Sequence, residues 1–289
     1  LLKVLKLNMP TLTPRKAFDL CKDGIGISEL KKRFNEGIGN LCLLADEYQS
    51  KAIEGELFKI PPLPKNIDHD FVVAGNLTKS ELTNLYEYYL REKEKPGRII
   101  YDTLMVSAKE KCPFCGGIGR PKNLDHFIPK AFFPQFSIIP LNLIPSCRDC
   151  NMDGKGQAFA SVASEQIIHP YLDKSIFFTQ KWVYAKIETY DPCSIEYFVY
   201  PPDNWIPVDK ERVTTHFHNF ELSKRYSIQA AEELSILIDQ RKGIMKKFSP
   251  DEFREYLSSF TNSPIFINHW KKVMYHCLAN DEEFCNYVF

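Results

Sequence analysis

Cys112-x-x-Cys115 and Cys147-x-x-Cys150 are the residues of this chain whose type and spacing most plainly imply chemistry. Each pair can fold into a tight knuckle, and two knuckles can bring four thiolates to one tetrahedral zinc. Such a site is closed, so its zinc would be structural, holding the two knuckles together. Between and just after the pairs lie Asp125-His126, Asn142 and Asn151, inside the stretch CPFCGGIGRPKNLDHFIPKAFFPQFSIIPLNLIPSCRDCNMDGK, residues 112–155. A zinc knuckle has no structural use for those four residues. They ask for a second explanation.

The pattern CPFC, then LDHFIPK, then NLIPSCRDCN with Lys155 shortly after, resembles the HNH endonucleases, a branch of the ββα-metal nucleases. The likeness extends to His169-Pro170-Tyr171-Leu172-Asp173 and, more weakly, upstream to PGRIIYD at 96–102. Asn151 stands where the family's name implies a second His, and Asn is a known variant of that slot. The resemblance implies that Asp125, on the first strand, is a ligand of a catalytic metal and that His126 is the general base. His suits that role because its unperturbed pKa lies near neutrality. It also implies that Asn142 bonds around the His126 loop and orients the imidazole. Asn151, at the start of the following helix, would be the second ligand. A carboxylate and an amide oxygen are hard ligands, which fits Mg2+ or Mn2+ with waters completing the shell. Lys130, Arg148 and Lys155 are candidates to hold flanking phosphates, and each could equally be an exposed cation. His169 is open between an approach to the metal or phosphate and a packed turn.

The implied activity is hydrolysis of nucleic-acid phosphodiester bonds. DNA is favoured by analogy, and an RNA such as tRNA is the runner-up. Related HNH proteins act as effectors in bacterial anti-phage systems, often beside an ATPase, so an operon-encoded ATPase is an implied partner. A reading from another class stands beside these. Two CxxC pairs taken alone most often mean a non-catalytic zinc module that binds nucleic acid or protein.

The 289 residues suffice for one large or two modest domains, and 44% hydrophobic with 26% charged residues is ordinary for a soluble protein. Lys plus Arg and Asp plus Glu are both 37, a formal net charge of zero. A nucleic-acid enzyme normally gains affinity by neutralising phosphates, so its cations should cluster or a partner should deliver the substrate. From Lys109 to Lys155 seven cations stand against four anions, a modest local excess that a bound divalent metal would sharpen. Nine cysteines without a framework of close spacings argue against a secreted disulfide scaffold. The opening LLKVLKLNMP is too short and too broken by Lys for a signal peptide, and no apolar run could span a bilayer. A cytoplasmic protein that makes no use of a membrane is the expectation.

The elements that must position these residues follow an α+β plan: a small zinc-stapled ββα core set in a mostly helical chain. Residues 1–64 read as helices separated by breaks at CKDGIGIS and NEGIGN, closed by Pro61, Pro62 and Pro64. Residues 65–175 hold a helical lead-in and the core at 112–155. There Thr78-x-x-Glu81 is a capping box before Leu82, Leu85, Tyr86, Tyr89 and Leu90, and the run 91–95 reads as solvated charge. Residues 176–289 open with two strands around Tyr190-Asp191-Pro192, an antiparallel pair expected beside the core. Helices follow, one of them started by Ser249-Pro250-Asp251-Glu252. This last region would serve substrate or partner docking. His216 and His218 alternate like residues on one strand face, and without a Cys, Asp or Glu partner they read as structural.

Overall fold

In the computed structural model, residues 6–287 and 289 are described, and they gather into two units, Lys6–Asp173 and Lys174–Phe289. The proline-rich stretch at 61–64 lies inside the first unit, where the Leu63 amide donates to the Phe132 carbonyl at 2.9 Å.

Helix α1 (Pro14–Asp23) starts because the Thr13 hydroxyl accepts from the Lys16 amide and Pro14 presets the first turn. Helix α2 (Ser28–Glu54) runs unbroken for 27 residues and ends on Gly55 at φ 73°, a left-handed cap. The break expected at NEGIGN is absent: Gly37 and Gly39 sit within the helix. Gly37 is there because the hairpin of β1 (Val72–Ala74) and β2 (Leu77–Thr78) crosses it. A Cβ on Gly75 would lie 3.4 Å from the Gly37 Cα, and one on Gly37 would meet the Leu77 side chain at 3.5 Å. The glycines mark a close approach, not a turn. Below it, Phe34, Ile38, Leu41, Ala45, Tyr48 and Ala52 form one buried face at helical spacing.

The capping box at Thr78 and Glu81 opens α3 (Lys79–Asn84), which widens into a π-helical turn at Leu85–Leu90. Helix α4 (Arg98–Ser107) follows and leads to the first knuckle. Strands β3 (Asn123–His126) and β4 (Leu143–Ser146) then pair antiparallel, with Asp125 opposite Ile144 and His126 opposite Leu143. A helical segment after Cys147 is again π-wound at Cys150–Lys155.

In the second unit a short helix, α5 (Ile176–Thr179), precedes β5 (Val183–Tyr190) and β6 (Cys193–Val199), which pair antiparallel across the short turn expected between them. Helices α6 (Pro207–Asn219), α7 (Leu222–Lys242), α8 (Pro250–Ser259), α9 (Trp270–Asn280) and α10 (Glu282–Asn286) complete it. The second capping box, Ser249 with Glu252, starts α8. Buried Asn268 ties the hairpin to its helices by accepting from the Trp182 and Val183 amides. The strand expected around His216 and His218 is α6 instead. Pro207 at its first position and Asp209 in its first turn start a helix. Its 3.6-residue period buries His216 and leaves His218 exposed. Among the described residues no helix is long and apolar enough to cross a membrane.

Two glycines give opposite expectations for one substitution. A Cβ on Gly97 would lie 2.4 Å from the Tyr89 carbonyl oxygen, whereas one on Gly39 meets nothing within 4 Å. Gly97→Ala should lower stability by about 1–3 kcal/mol through overpacking. Gly39→Ala should raise it by roughly 0.5–1 kcal/mol, the ordinary helix preference. Urea unfolding of the two variants beside the parent chain measures both signs.

Candidate metal centre and adjoining pocket

The open end of the β3–β4 ladder brings the two knuckles together. The first is shaped by Gly116 and Gly117, both at positive φ, which let the Gly117 amide return to the Cys112 carbonyl at 2.9 Å. The Gly119 amide then donates to the Cys115 sulfur at 3.3 Å. The second follows β4 directly, the Asn151 amide closing on the Cys147 carbonyl at 3.0 Å. All four cysteines are buried, and their sulfurs lie within 4.8 Å of one another. Zinc–sulfur bonds of about 2.3 Å in a tetrahedron place the sulfurs about 3.8 Å apart, so the cluster fits a single ion. Packed this closely the thiols cannot titrate alone. Mutual hydrogen bonding lowers the Cys147 pKa and raises that of Cys150, and burial raises that of Cys112. One thiolate suppresses the next, a conflict that a cation in their midst removes. The four-cysteine site can hold a structural metal such as zinc.

Asp125 and His126, adjacent on β3, are both buried and both line a pocket of about 450 Å3 that Lys130 and Asn151 also line. Asp125 Oδ1 lies 3.3 Å from Lys155 Nζ, while Oδ2 is buried with no hydrogen-bond partner. Burial pushes the carboxyl pKa up to about 6, with Lys155 the largest opposing influence. A buried carboxylate oxygen without a donor is what a cation ligand looks like before its cation. Asn123, two residues earlier, lines the same pocket and carries a second buried oxygen without a partner. These two oxygens, with Asn151 on the same lining, are the hard donors the pocket could offer a cation. Lys155 is paired with the other Asp125 oxygen.

His126 Nε2 is 2.8 Å from the Ser137 carbonyl. A carbonyl can only accept, so Nε2 carries the proton and Nδ1 keeps its lone pair. The Tyr86 ring stands edge-on to the imidazole at 4.4 Å, its own hydroxyl anchored on the Leu124 carbonyl. Burial and then the Lys130 charge lower the imidazole pKa to about 3, against the Ser137 bond, so the ring is neutral at physiological pH and is a weaker base than the near-neutral value expected from the sequence.

Asn142 does not touch that ring. It closes the turn before β4, fully buried, and its amide bridges the Ile128 backbone and the Phe136 carbonyl. His169 is also fully buried, outside the pocket lining, with its ring 4.3 Å from that of Phe127. Of the phosphate candidates, Lys130 lines the pocket 3.0 Å from Glu87, Lys155 is buried on Asp125, and Arg148 is exposed and away from the pocket. Glu87 and Arg91, 2.6 Å apart, line the pocket as well, and neither stood out in the sequence. The π-helical turn swings them there from what reads as a solvated helix end. An i+5 amide bond, Arg91 to Tyr86, is its mark.

Over 294 residues the chain is 42% identical to Protein ea31 of Escherichia phage lambda, an alignment covering 96% of this chain and 98% of that protein. The chain belongs to the Ea31 family. No model of a protein family matches it, and no solved structure does. The aligned likeness to Ea31 spans both units.

Cys115→Ser or Cys147→Ser should lose the bound metal and much of the stability of the first unit, since metal binding contributes on the order of 10 kcal/mol in small zinc modules. Purified chain should carry one equivalent of zinc by elemental analysis. Metal-free, folded protein whose four thiols all react with a thiol reagent would end the assignment.

Proposed function

We propose that the chain is a metal-dependent nuclease of the HNH type, hydrolysing phosphodiester bonds of DNA in preference to RNA. The observation that carries the reading is the pairing on β3 of Asp125, with a buried oxygen lacking a partner, and His126, with one nitrogen pinned and the other free to accept a proton. Strand, strand and helical segment follow one another in the order that the family resemblance requires.

In this reading Asp125 and Asn151 hold a divalent ion, Mg2+ or Mn2+, and the zinc among Cys112, Cys115, Cys147 and Cys150 is structural. The bound divalent ion supplies Lewis-acid stabilisation of the phosphate and of the leaving oxygen. His126 Nδ1 takes the proton of the attacking water, and the Ser137 carbonyl steadies the positive charge that results on the ring. Asn142 keeps the loop that carries this carbonyl in place. Lys130 and Arg91, both at the pocket, hold the flanking phosphates once substrate displaces Glu87. Lys155 neutralises Asp125 until the divalent ion arrives. The proposal extends to an anti-phage role with an operon-encoded ATPase as partner. That a relative is a phage protein suits such a setting, where bacterial and phage nucleic acids meet.

His126→Ala should lower cleavage by about 10²–10⁴-fold, the usual worth of a general base, with fold and zinc content retained. Purified chain is incubated with plasmid, single-stranded DNA and total RNA, each with Mg2+, Mn2+ or a chelator. Cleavage should require the divalent ion and vanish in Asp125→Ala whatever metal is added, while nucleic-acid binding persists. Binding by the parent chain with no divalent-dependent cleavage of any substrate, its operon neighbour included, would identify a zinc binding module instead.

A further inference from the structure

Three fully buried side chains lie in line behind the pocket. His169 Nδ1 accepts from the Tyr171 amide at 3.2 Å, which leaves the proton of a neutral ring on Nε2. That Nε2 is 3.2 Å from the Tyr48 hydroxyl, so it donates there. Burial raises the Tyr48 pKa well above its usual value, so the phenol keeps its own proton and passes a hydrogen bond to Asn142 Oδ1 at 3.1 Å. Direction is thus fixed along the whole chain of bonds, and with it the orientation of the Asn142 amide. Oδ1 faces the Ile128 amide at 2.9 Å, and Nδ2 faces the carbonyls of Ile128 and Phe136, each at 3.1 Å. A flipped amide would set donor against donor at Ile128 and acceptor against acceptor at Phe136.

The next carbonyl after Phe136 is that of Ser137, the acceptor that sets the tautomer of His126. The same two rings also grip both ends of the intervening loop. His169 packs at 4.3 Å on Phe127, which follows His126, and Tyr48 packs at 5.3 Å on Phe136, which precedes Ser137. We propose that Tyr48 and His169 are positioning residues for His126, acting through Asn142 to hold the Ser137 carbonyl where it fixes the proton on Nε2. This rests on the reading of His126 as the base. It gives helix α2, which contributes no residue to the pocket lining, a part in the reaction.

Tyr48→Phe removes one oxygen and keeps the ring. In zinc-loaded, folded protein it should lower kcat by about 10-fold at unchanged KM, the scale of a lost supporting hydrogen bond. Nitrogen NMR of labelled histidine should show His126 passing from a single Nε2–H tautomer to a mixture. His169→Leu should act alike. His169→Gln, whose side-chain amide can reach the Nε2 position, should restore kcat and the single tautomer. The double variant Tyr48→Phe/His169→Leu should fall no further than the worse single one, because both break one chain of bonds. A His126 tautomer unchanged in both Tyr48→Phe and His169→Leu overturns the proposal, as does a kcat loss that merely tracks the folded fraction. The tautomer is read without substrate. A chain that cleaves nothing would therefore sink the nuclease reading while the NMR still decides this one.

Discussion

Four sulfur atoms that share one small volume constrain how the first unit can close around β3 and β4. Buried thiols resist ionisation, and a second thiolate beside a first costs more still, so a cation among Cys112, Cys115, Cys147 and Cys150 would relieve their mutual repulsion once ionised. Meeting that demand forces the knuckle before β3 onto the knuckle after β4. The ladder between them is then set in register, with Asn123 opposite Ser146 beside the sulfurs and His126 opposite Leu143 at the far end. Asp125 and His126 thereby come to rest on a strand whose two ends are both held. At one end the holder is the cysteine cluster. At the other it is the buried amide of Asn142.

That far end explains why so much polarity is tolerated in a core. An amide as buried as that of Asn142 would cost several kcal/mol if left unsatisfied. Its oxygen accepts from Ile128 and Tyr48, and its nitrogen donates to Ile128 and Phe136, so none of its capacity is wasted. An apolar residue of similar volume could fill the space. It could not dictate which way the carbonyls of the 127–142 loop face.

Local signals were the legible part of the chain. Capping boxes at Thr78 and Ser249, the strand composition and turn of β5 and β6, and the CxxC spacing each express an interaction within a few residues, and each appears in the structure. Features depending on a distant segment were not legible. Gly37 reads as a break because a glycine's reason to sit inside a helix is the Gly75 hairpin pressed against it, almost forty positions away. Tyr48 reads as one more apolar position on α2, since nothing nearby shows that its hydroxyl lies between Asn142 and His169. His216 and His218 share a two-residue spacing with strands, and the start of their helix at Pro207 overrides it. Arg91 and Glu87 reach the pocket through one extra residue per turn, which no periodicity of 3.6 can foresee.

The cations at the pocket are internally paired. Lys155 is matched by Asp125, while Lys130 and Arg91 share the single carboxylate of Glu87, which leaves one positive charge over. At an effective dielectric constant of about 20, a contact near 3–4 Å is worth several kcal/mol before desolvation, so the pocket presents little free positive charge to a polyanion at a distance. In the proposed enzyme this changes on loading. A divalent ion held by Asp125 would compete with the Lys155 ammonium for the same carboxylate, and a phosphate would compete with Glu87 for Lys130 and Arg91. Each arrival frees a cation that was internally paired, and the field that holds the second ligand strengthens with the first. Under the proposed reading, metal and nucleic acid would then bind cooperatively. An enzyme built this way would have weak affinity for nucleic acid until its metal is present, which is also the state in which the proposed reaction would run.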